Sequence, residues 1–204
     1  MLHYTAMQSA EAALARLCDP AFEVSAHYLI AEDGRLWQMV ADLDRAWHAG
    51  AGAWQGRGDL NSRAIGIELA NDGAQPFSAP QMARLVHLLH SLTKAHGIAP
   101  QSIIAHSDMA PGRKADPGRK FDWRGLWRAG FGVWSAARGP SECDFMASAR
   151  GFGYPLDIGD PAQYEGLLLE AFRQRFRPAA SGPLDGTDRA MMRDLAERYG
   201  VDPV

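Results

Sequence analysis

The chain has 204 residues, of which 47% are apolar and 22% charged, and its formal net charge is −3. This length suits one large domain, or an α/β core followed by a small second domain. The slight negative charge disfavours nucleic acid or an anionic membrane surface as a partner. No segment approaches the roughly 20 consecutive apolar residues that cross a bilayer. We expect no membrane span, and a monomer.

Short apolar runs predict the strands of one sheet. They lie at residues 2–4, 25–31, 36–40, 64–70 and 102–106. Between the second and third runs, Asp33-Gly34 is typical of the tight turn of a β-hairpin. The pattern predicts an α/β fold with a central mixed β-sheet flanked by helices.

The predicted helices have recognisable ends. Thr5 and Gln8 have the form of a capping box, which would start a helix that stops at Asp19-Pro20. The segment 78–96 has apolar residues at helical spacing and is followed by a glycine, so it predicts a long amphipathic helix. Between the strands, the glycine-rich segment 47–63 predicts a long loop, and such loops in compact domains are often functional.

The C-terminal third carries helical patterns alone. They cover residues 144–150, 161–176 and 187–199. Strands mixed with helices and then helices alone predict an α/β domain at 1–130, a linker at 131–143 and a small three-helix domain at 144–204. Three arginines at alternate positions, Arg173, Arg175 and Arg177, are expected to form an exposed basic cluster.

One loop combines residue types that bind metal ions. His106 stands at the end of a predicted strand, and Asp116 follows ten residues later across a segment rich in proline and glycine. Zinc accepts both ligand types, and a site with three protein ligands keeps one coordination position open for catalysis. His3, His27 and His48 are all candidates for the third ligand, and spacing does not choose among them. The alternative is an ordinary solvated loop.

Two further charged residues stand out. Glu68 interrupts the apolar run Ile65-Gly66-Ile67-Glu68-Leu69, and a carboxylate there is costly unless it is paired or functional. Its functional interpretation is a general base, and its structural interpretation is a salt-bridged side chain. Lys114 lies two residues before Asp116 and can direct a positive charge at a developing oxyanion.

Six segments together resemble the type 2 N-acetylmuramoyl-L-alanine amidases, a group that includes AmpD-like and AmiD-like enzymes and, more distantly, the peptidoglycan recognition proteins. They occur in the family's order and span about 120 residues. The segments are LHYT at 2–5, SAHYLI at 25–30, AWHAG at 46–50, the stretch around Gly56 to Asn61, IGIEL at 65–69 and AHSDMAPGRKADPG at 105–118.

The resemblance implies a role for each candidate residue. It implies that zinc is held by His3, His106 and Asp116, with Glu68 as the catalytic base and Lys114 as the oxyanion-stabilising cation. Residues implied to line the substrate groove are Trp47, His48, Asn61 and, as an alternative to a structural role, His27.

The resemblance also implies the reaction. The expected activity is zinc-dependent hydrolysis of the amide bond between N-acetylmuramic acid, including its 1,6-anhydro form, and L-alanine in muropeptides or peptidoglycan. The alternatives are a non-catalytic peptidoglycan-binding module and a zinc peptidase that cuts within the stem. The C-terminal helices resemble a peptidoglycan-binding domain, or else simply pack on the amidase. The start of the chain has no signal-peptide pattern, so a cytoplasmic location is expected, with the periplasm as the alternative.

Overall fold

The computed structural model describes residues 1–156 and 161–200, and its centre is a four-stranded mixed sheet. The strands, in chain order, are β1 (Leu2–Tyr4), β2 (Tyr28–Ile30), β3 (Leu36–Gln38) and β4 (Ile67–Leu69). Their order across the sheet is β1-β4-β2-β3. β4 is parallel to both of its neighbours, and β2 and β3 pair antiparallel. The predicted mixed sheet flanked by helices is therefore confirmed.

Seven α-helices accompany the sheet in the described residues. They are α1 (Ala10–Cys18), α2 (Ala79–His96), α3 (His106–Met109), α4 (Trp123–Arg128), α5 (Phe145–Phe152), α6 (Pro161–Phe176) and α7 (Gly186–Tyr199). α2 has its predicted ends: the Ser78 hydroxyl accepts from the Gln81 N–H at 3.3 Å, and Gly97 ends the helix at φ 63°. None of these helices is long and apolar enough to cross a membrane.

Two predictions about local structure are wrong. α1 begins after Ser9, whose hydroxyl accepts from the Ala12 N–H. Thr5 does not cap it, because its hydroxyl contacts the backbone of Asn71 and its N–H bonds to Leu69 O at the end of β4. The expected strand at 102–106 is also missing. Only Ala105 forms a β-bridge, to Leu2, and the chain then turns directly into α3.

The sheet has one face against helices and another toward the functional loops. Leu2, Ile67 and Leu69 pack with the apolar side of α2 in a buried cluster that also includes Trp123 of α4. Successive side chains of a strand point to opposite faces. His3 of β1 and its register partner in β4, Glu68, therefore project together from the opposite face. The pleat and the parallel register place these two side chains side by side.

The three C-terminal helices form where the sequence predicts them, but they share a core with the sheet domain. Trp54 contacts the rings of Phe152 and Tyr154, at centroid distances of 5.4 and 5.2 Å, within the same buried cluster as Met109 and Phe172. The predicted boundaries at 130 and 143 stay predictions. Residues 157–160 and 201–204 of the predicted third domain lie outside the described part of the chain.

The expectation of an exposed basic cluster in α6 is wrong. Arg173 and Arg175 are only 2% and 1% exposed, and Arg177 is half-buried. Arg173 pairs with buried Asp188 of α7 at 2.5 Å, and Arg177 reaches the same carboxylate at 2.6 Å. These guanidinium groups are buried because carboxylates distant in sequence neutralise them.

Candidate active site

The side chains of the three predicted metal ligands converge on one point. Nδ1 of His3 lies 2.9 Å from Nδ1 of His106 and 2.9 Å from Oδ2 of Asp116, and the remaining distance, from His106 Nδ1 to Asp116 Oδ2, is 3.0 Å. The three residues are 2%, 4% and 7% exposed. β1 supplies the first, and the loop around α3 supplies the other two. These residues form a possible metal-binding site.

Backbone carbonyl groups fix the protonation of the ring nitrogens that face away from this point. Nε2 of His106 bonds to the carbonyl oxygen of Ala49 at 2.8 Å, and Nε2 of His48 bonds to that of Ala64 at 2.9 Å. A carbonyl oxygen only accepts, so both nitrogens carry a proton. Nδ1 of His48 is then a bare acceptor, and His3 donates to it through Nε2 at 3.1 Å. In the neutral rings, Nδ1 of both His3 and His106 keeps its lone pair.

The electrostatics of these three residues suit a cation. Burial lowers the pKa of His3 to about 4, so its ring is neutral at pH 7. Burial raises the pKa of the Asp116 carboxyl, but the contacts with His106 and His3 outweigh it and hold that pKa below its usual range. Two imidazole nitrogens and one carboxylate thus face one point. A divalent metal that accepts nitrogen and oxygen ligands fits this set.

Glu68 lies next to this site as an unpaired acid. Its Oε2 is buried and has no hydrogen-bond partner among the described residues. Burial raises the pKa of its carboxyl well above 4.5, the charge of Asp116 raises it further, and Lys114 opposes both effects. Glu68 forms no salt bridge with the described residues, which goes against its structural interpretation, and the carboxyl faces a cavity of about 440 Å³ together with His3 and Asp116. A desolvated carboxyl beside a metal site can take up and release a proton.

Lys114 and Trp47 also line this cavity. Lys114 is exposed, and its backbone N–H bonds to Ala110 O at 3.0 Å, which anchors the loop that carries it. The Trp47 side chain is 54% exposed, and the guanidinium of Arg45 lies 4.3 Å from its ring centroid. The cavity therefore has an exposed cation and an exposed aromatic surface in its lining.

The other predicted groove residues differ in position. His48 lines the cavity and contacts His3, and burial lowers its pKa to about 2. Asn61 and His27 are not among the described residues that line this cavity. The Asn61 side-chain oxygen accepts from the backbone N–H of His48 at 2.9 Å, and Nδ1 of His27 accepts from the Gly66 N–H at 3.0 Å. Both side chains hold backbone near the site, and their contact with substrate stays a prediction.

Sequence reasoning missed two residues that support the ligands. Arg113 donates to the carbonyl oxygens of Ala49, at 2.7 Å, and Ala51. The Ala49 oxygen is the same one that sets the protonation of His106. Arg113 lies 64 residues from Ala49, so no local pattern predicts the contact. The other missed residue is Gly66. A glycine directly before β4 could have indicated a close approach by another part of the chain.

Gly66 leaves the space that the His48 ring occupies. A Cβ at this position would lie 2.5 Å from Cγ of His48. We expect Gly66→Ala to lower the free energy of unfolding by about 1–3 kcal/mol, because the ring must leave its place between His3 and Ala64. The affinity of the possible metal site for a divalent metal such as zinc should fall with it. Thermal unfolding and a zinc titration by chelator competition measure the two effects.

A second glycine provides the control for this prediction. Gly166 is exposed in α6, and a Cβ there would meet nothing within 4 Å. Gly166→Ala should raise stability by up to about 1 kcal/mol, because alanine has the better helix propensity, and should leave zinc affinity unchanged. If Gly66→Ala is as stable as the unmodified protein, the His48 ring does not need the space that Gly66 provides.

Comparison with known proteins identifies the family. The family described as N-acetylmuramoyl-L-alanine amidase matches residues 1–119. The chain is 33% identical to the N-acetylmuramoyl-L-alanine amidase AmiD of Escherichia coli, over 99% of this chain and 83% of that protein. It is 46% identical to the 1,6-anhydro-N-acetylmuramyl-L-alanine amidase AmpD of Haemophilus influenzae, over 49% of this chain and 55% of that one.

Solved structures agree with this match. AmiD from E. coli, in complex with the substrate anhydro-N-acetylmuramic acid-L-Ala-D-gamma-Glu-L-Lys, has a TM-score of 0.89 at 33% identity and covers 98% of this chain and 89% of its own. AmpDh3 from Pseudomonas aeruginosa, in complex with anhydromuramic pentapeptide, has a TM-score of 0.88 at 33% identity, over 98% and 91% of the two chains. The chain belongs to the N-acetylmuramoyl-L-alanine amidase family.

Proposed function

We propose that this protein is a zinc-dependent N-acetylmuramoyl-L-alanine amidase that releases the stem peptide from muropeptides. The observation that carries the proposal is the set of three buried acceptor atoms, on His3, His106 and Asp116, beside the unpaired carboxyl of Glu68. Two imidazoles and a carboxylate suit zinc, and three protein ligands leave a coordination position free. Membership of the amidase family supports this chemistry.

The reaction places water across the amide bond between the lactyl group of muramic acid and L-alanine. Bound zinc would supply Lewis acidity, which lowers the pKa of water and polarises a carbonyl oxygen. Glu68 takes one proton from the attacking water and delivers it to the departing L-alanine nitrogen. The remaining hydroxyl adds to the lactyl carbon as the C–N bond breaks. Lys114 stabilises the negative charge that develops on the carbonyl oxygen.

The proposed substrates are peptidoglycan fragments. Two similar amidases of known structure hold anhydro-muropeptides, which supports the 1,6-anhydro sugar as an accepted form. The exposed Trp47 at the cavity provides an apolar surface of the kind that packs against sugar rings or peptide side chains. A cytoplasmic enzyme would meet soluble anhydro-muropeptides, whereas a periplasmic one would also meet the intact wall. Cell fractionation, and turnover compared on soluble fragments and on whole sacculi, test these two proposals.

Mass spectrometry of a digested anhydro-muropeptide tests the reaction itself. The amidase yields the whole stem peptide and the free sugar, whereas a peptidase yields a sugar that retains part of the peptide. Chelator treatment should abolish the cleavage, and zinc should restore it. Binding of the muropeptide without cleavage in the presence of zinc would contradict the proposal and favour a recognition module.

We expect Lys114→Met to lower kcat by about 10²–10³-fold, which is the usual effect of removing one oxyanion-stabilising group. The same substitution removes the charge that opposes the raised pKa of Glu68, so that pKa should rise further. The acidic limb of the kcat profile should therefore move to higher pH. Lys120→Met is the control, because Lys120 is exposed but does not line the cavity in the described chain. An equal loss in both variants would contradict the role of Lys114.

A further inference from the structure

Arg175 of α6 connects the C-terminal helices to the loop that carries two of the ligands. Its side chain is fully buried, and its guanidinium lies 4.3 Å from the ring centroid of Trp123. One terminal nitrogen of the guanidinium donates to Oδ2 of Asp108. The other donates to the carbonyl oxygen of Ile103 at 3.0 Å. Arg175 thus contacts the chain on both sides of His106.

Asp108 receives contacts from three parts of the chain. It is completely buried. In addition to Arg175, the Tyr154 hydroxyl donates to its Oδ1 at 2.9 Å, and the backbone N–H of Ala105 donates to its Oδ2 at 2.8 Å. Tyr154 follows α5, so both C-terminal side chains hold one carboxylate. That carboxylate in turn defines the turn in which His106 begins α3.

The same turn also sets the position of Asp116. Between His106 and Asp108, the Ser107 N–H donates to the backbone carbonyl oxygen of Asp116 at 3.0 Å. A shift of this turn would therefore move two of the three ligands together. Metal sites bind tightly only when neighbouring contacts hold the ligands in place. The buried pair of Arg175 and Asp108 provides such a contact, because an unpaired charge at that depth would be unfavourable.

We propose that Arg175 and Tyr154 are positioning residues for the metal ligands His106 and Asp116. The C-terminal helices are then part of the support of the metal site. This inference rests on the proposed zinc-dependent function, and it goes beyond it by assigning a role to residues that do not line the cavity. A purely structural role would affect stability alone, without changing the affinity for zinc.

The test compares Arg175→Met and Tyr154→Phe with Arg173→Met in the full-length protein. Arg173 is the matched control, because it is equally buried in α6 but bonds to Asp188 of α7. The measurements are the zinc dissociation constant by chelator competition, kcat and KM on an anhydro-muropeptide, and the unfolding temperature. All binding and kinetic measurements are made well below the unfolding temperature.

We expect zinc affinity to fall about 10–100-fold in Arg175→Met and about 3–10-fold in Tyr154→Phe. In both variants, kcat should fall at saturating substrate while KM stays within about twofold, because neither residue lines the cavity. Arg173→Met should lower the unfolding temperature and keep zinc affinity within about twofold. Tyr154→Phe removes only one hydroxyl, so it still tests the positioning role if Arg175→Met fails to fold.

Two outcomes separate this inference from the function on which it rests. If the unmodified protein binds zinc and cleaves the muropeptide, but Tyr154→Phe and any folded Arg175→Met bind zinc equally well, the positioning role is wrong and the amidase proposal stands. If the unmodified protein neither binds zinc nor cleaves the muropeptide, the proposed function is itself wrong, and the positioning role is rejected with it.

Discussion

Glu68→Gln is expected to lower kcat on an anhydro-muropeptide by about 10²–10⁴-fold, while zinc affinity stays within about threefold. The magnitude is typical of losing a general acid–base group. Glutamine keeps the size of the side chain but cannot carry the proton from water to the leaving nitrogen. Steady-state kinetics and a zinc titration measure the two quantities. Near-normal turnover in Glu68→Gln would exclude Glu68 as the proton carrier.

The pH dependence of stability provides an independent measurement on the same variant. Burial holds the pKa of Glu68 well above its ordinary value of 4.5, so the folded state binds this proton more tightly than the unfolded state does. The contribution of Glu68 to the free energy of unfolding is therefore fully present at low pH. It is lost as the pH rises from about 4.5, the pKa in the unfolded chain, through the pKa of Glu68 in the folded protein. Glu68→Gln removes this loss. The zinc-free variant should become progressively more stable than the unmodified protein over that interval.

An exposed glutamate provides the matched control. Glu165 is exposed in α6, and Glu165→Gln makes the same chemical change away from the cavity. Its kcat should follow that of the unmodified protein, because Glu165 does not line the cavity. If both glutamine variants changed stability with pH in the same way, burial of Glu68 could not be the cause.

The sequence was sufficient to predict the features that depend on local pattern. Alternation of apolar residues predicts the strands of the mixed sheet, and the serine and glycine at its ends predict α2. The placement of His3 beside Glu68 was not among these features, because it depends on the parallel register of β1 and β4. The choice of His3 over His27 and His48 needed the family resemblance, since all three histidines stand at strand or loop positions.

Features that depend on distant contacts were not predictable. Three arginines at alternate helical positions suggest a solvated surface. Arg175 is nevertheless buried, because it forms an ion pair with Asp108. Asp108 lies 67 residues earlier in the chain, so no local pattern indicates this pair. The protonation of His106 depends on the carbonyl oxygen of Ala49, which has no side-chain signature. Likewise, Thr5 does not cap α1, because its hydroxyl contacts the backbone of Asn71 and its N–H bonds to Leu69 O at the end of β4. In each case, a tertiary contact overrides the local pattern.

Asp116→Asn is expected to weaken zinc binding by at least about 100-fold, because even residues that only support ligands cost 10–100-fold. The substitution removes the only carboxylate among the three converging groups and replaces it with a neutral amide. The amidase activity should be lost at zinc concentrations that saturate the unmodified protein. Chelator competition and thermal unfolding with and without zinc check this prediction.

The unfolding measurement distinguishes loss of the ligand from loss of the fold. Zinc at 100 times its dissociation constant stabilises a protein by about 2.7 kcal/mol, and Asp116→Asn should lack this gain at the same zinc concentration. Asp122→Asn is the control, because Asp122 caps α4 through the Gly125 N–H and asparagine caps equally well. That variant should keep the full zinc-dependent stabilisation. If Asp116→Asn kept it too, the carboxylate of Asp116 would not be a ligand, and the two imidazoles would need a different third partner.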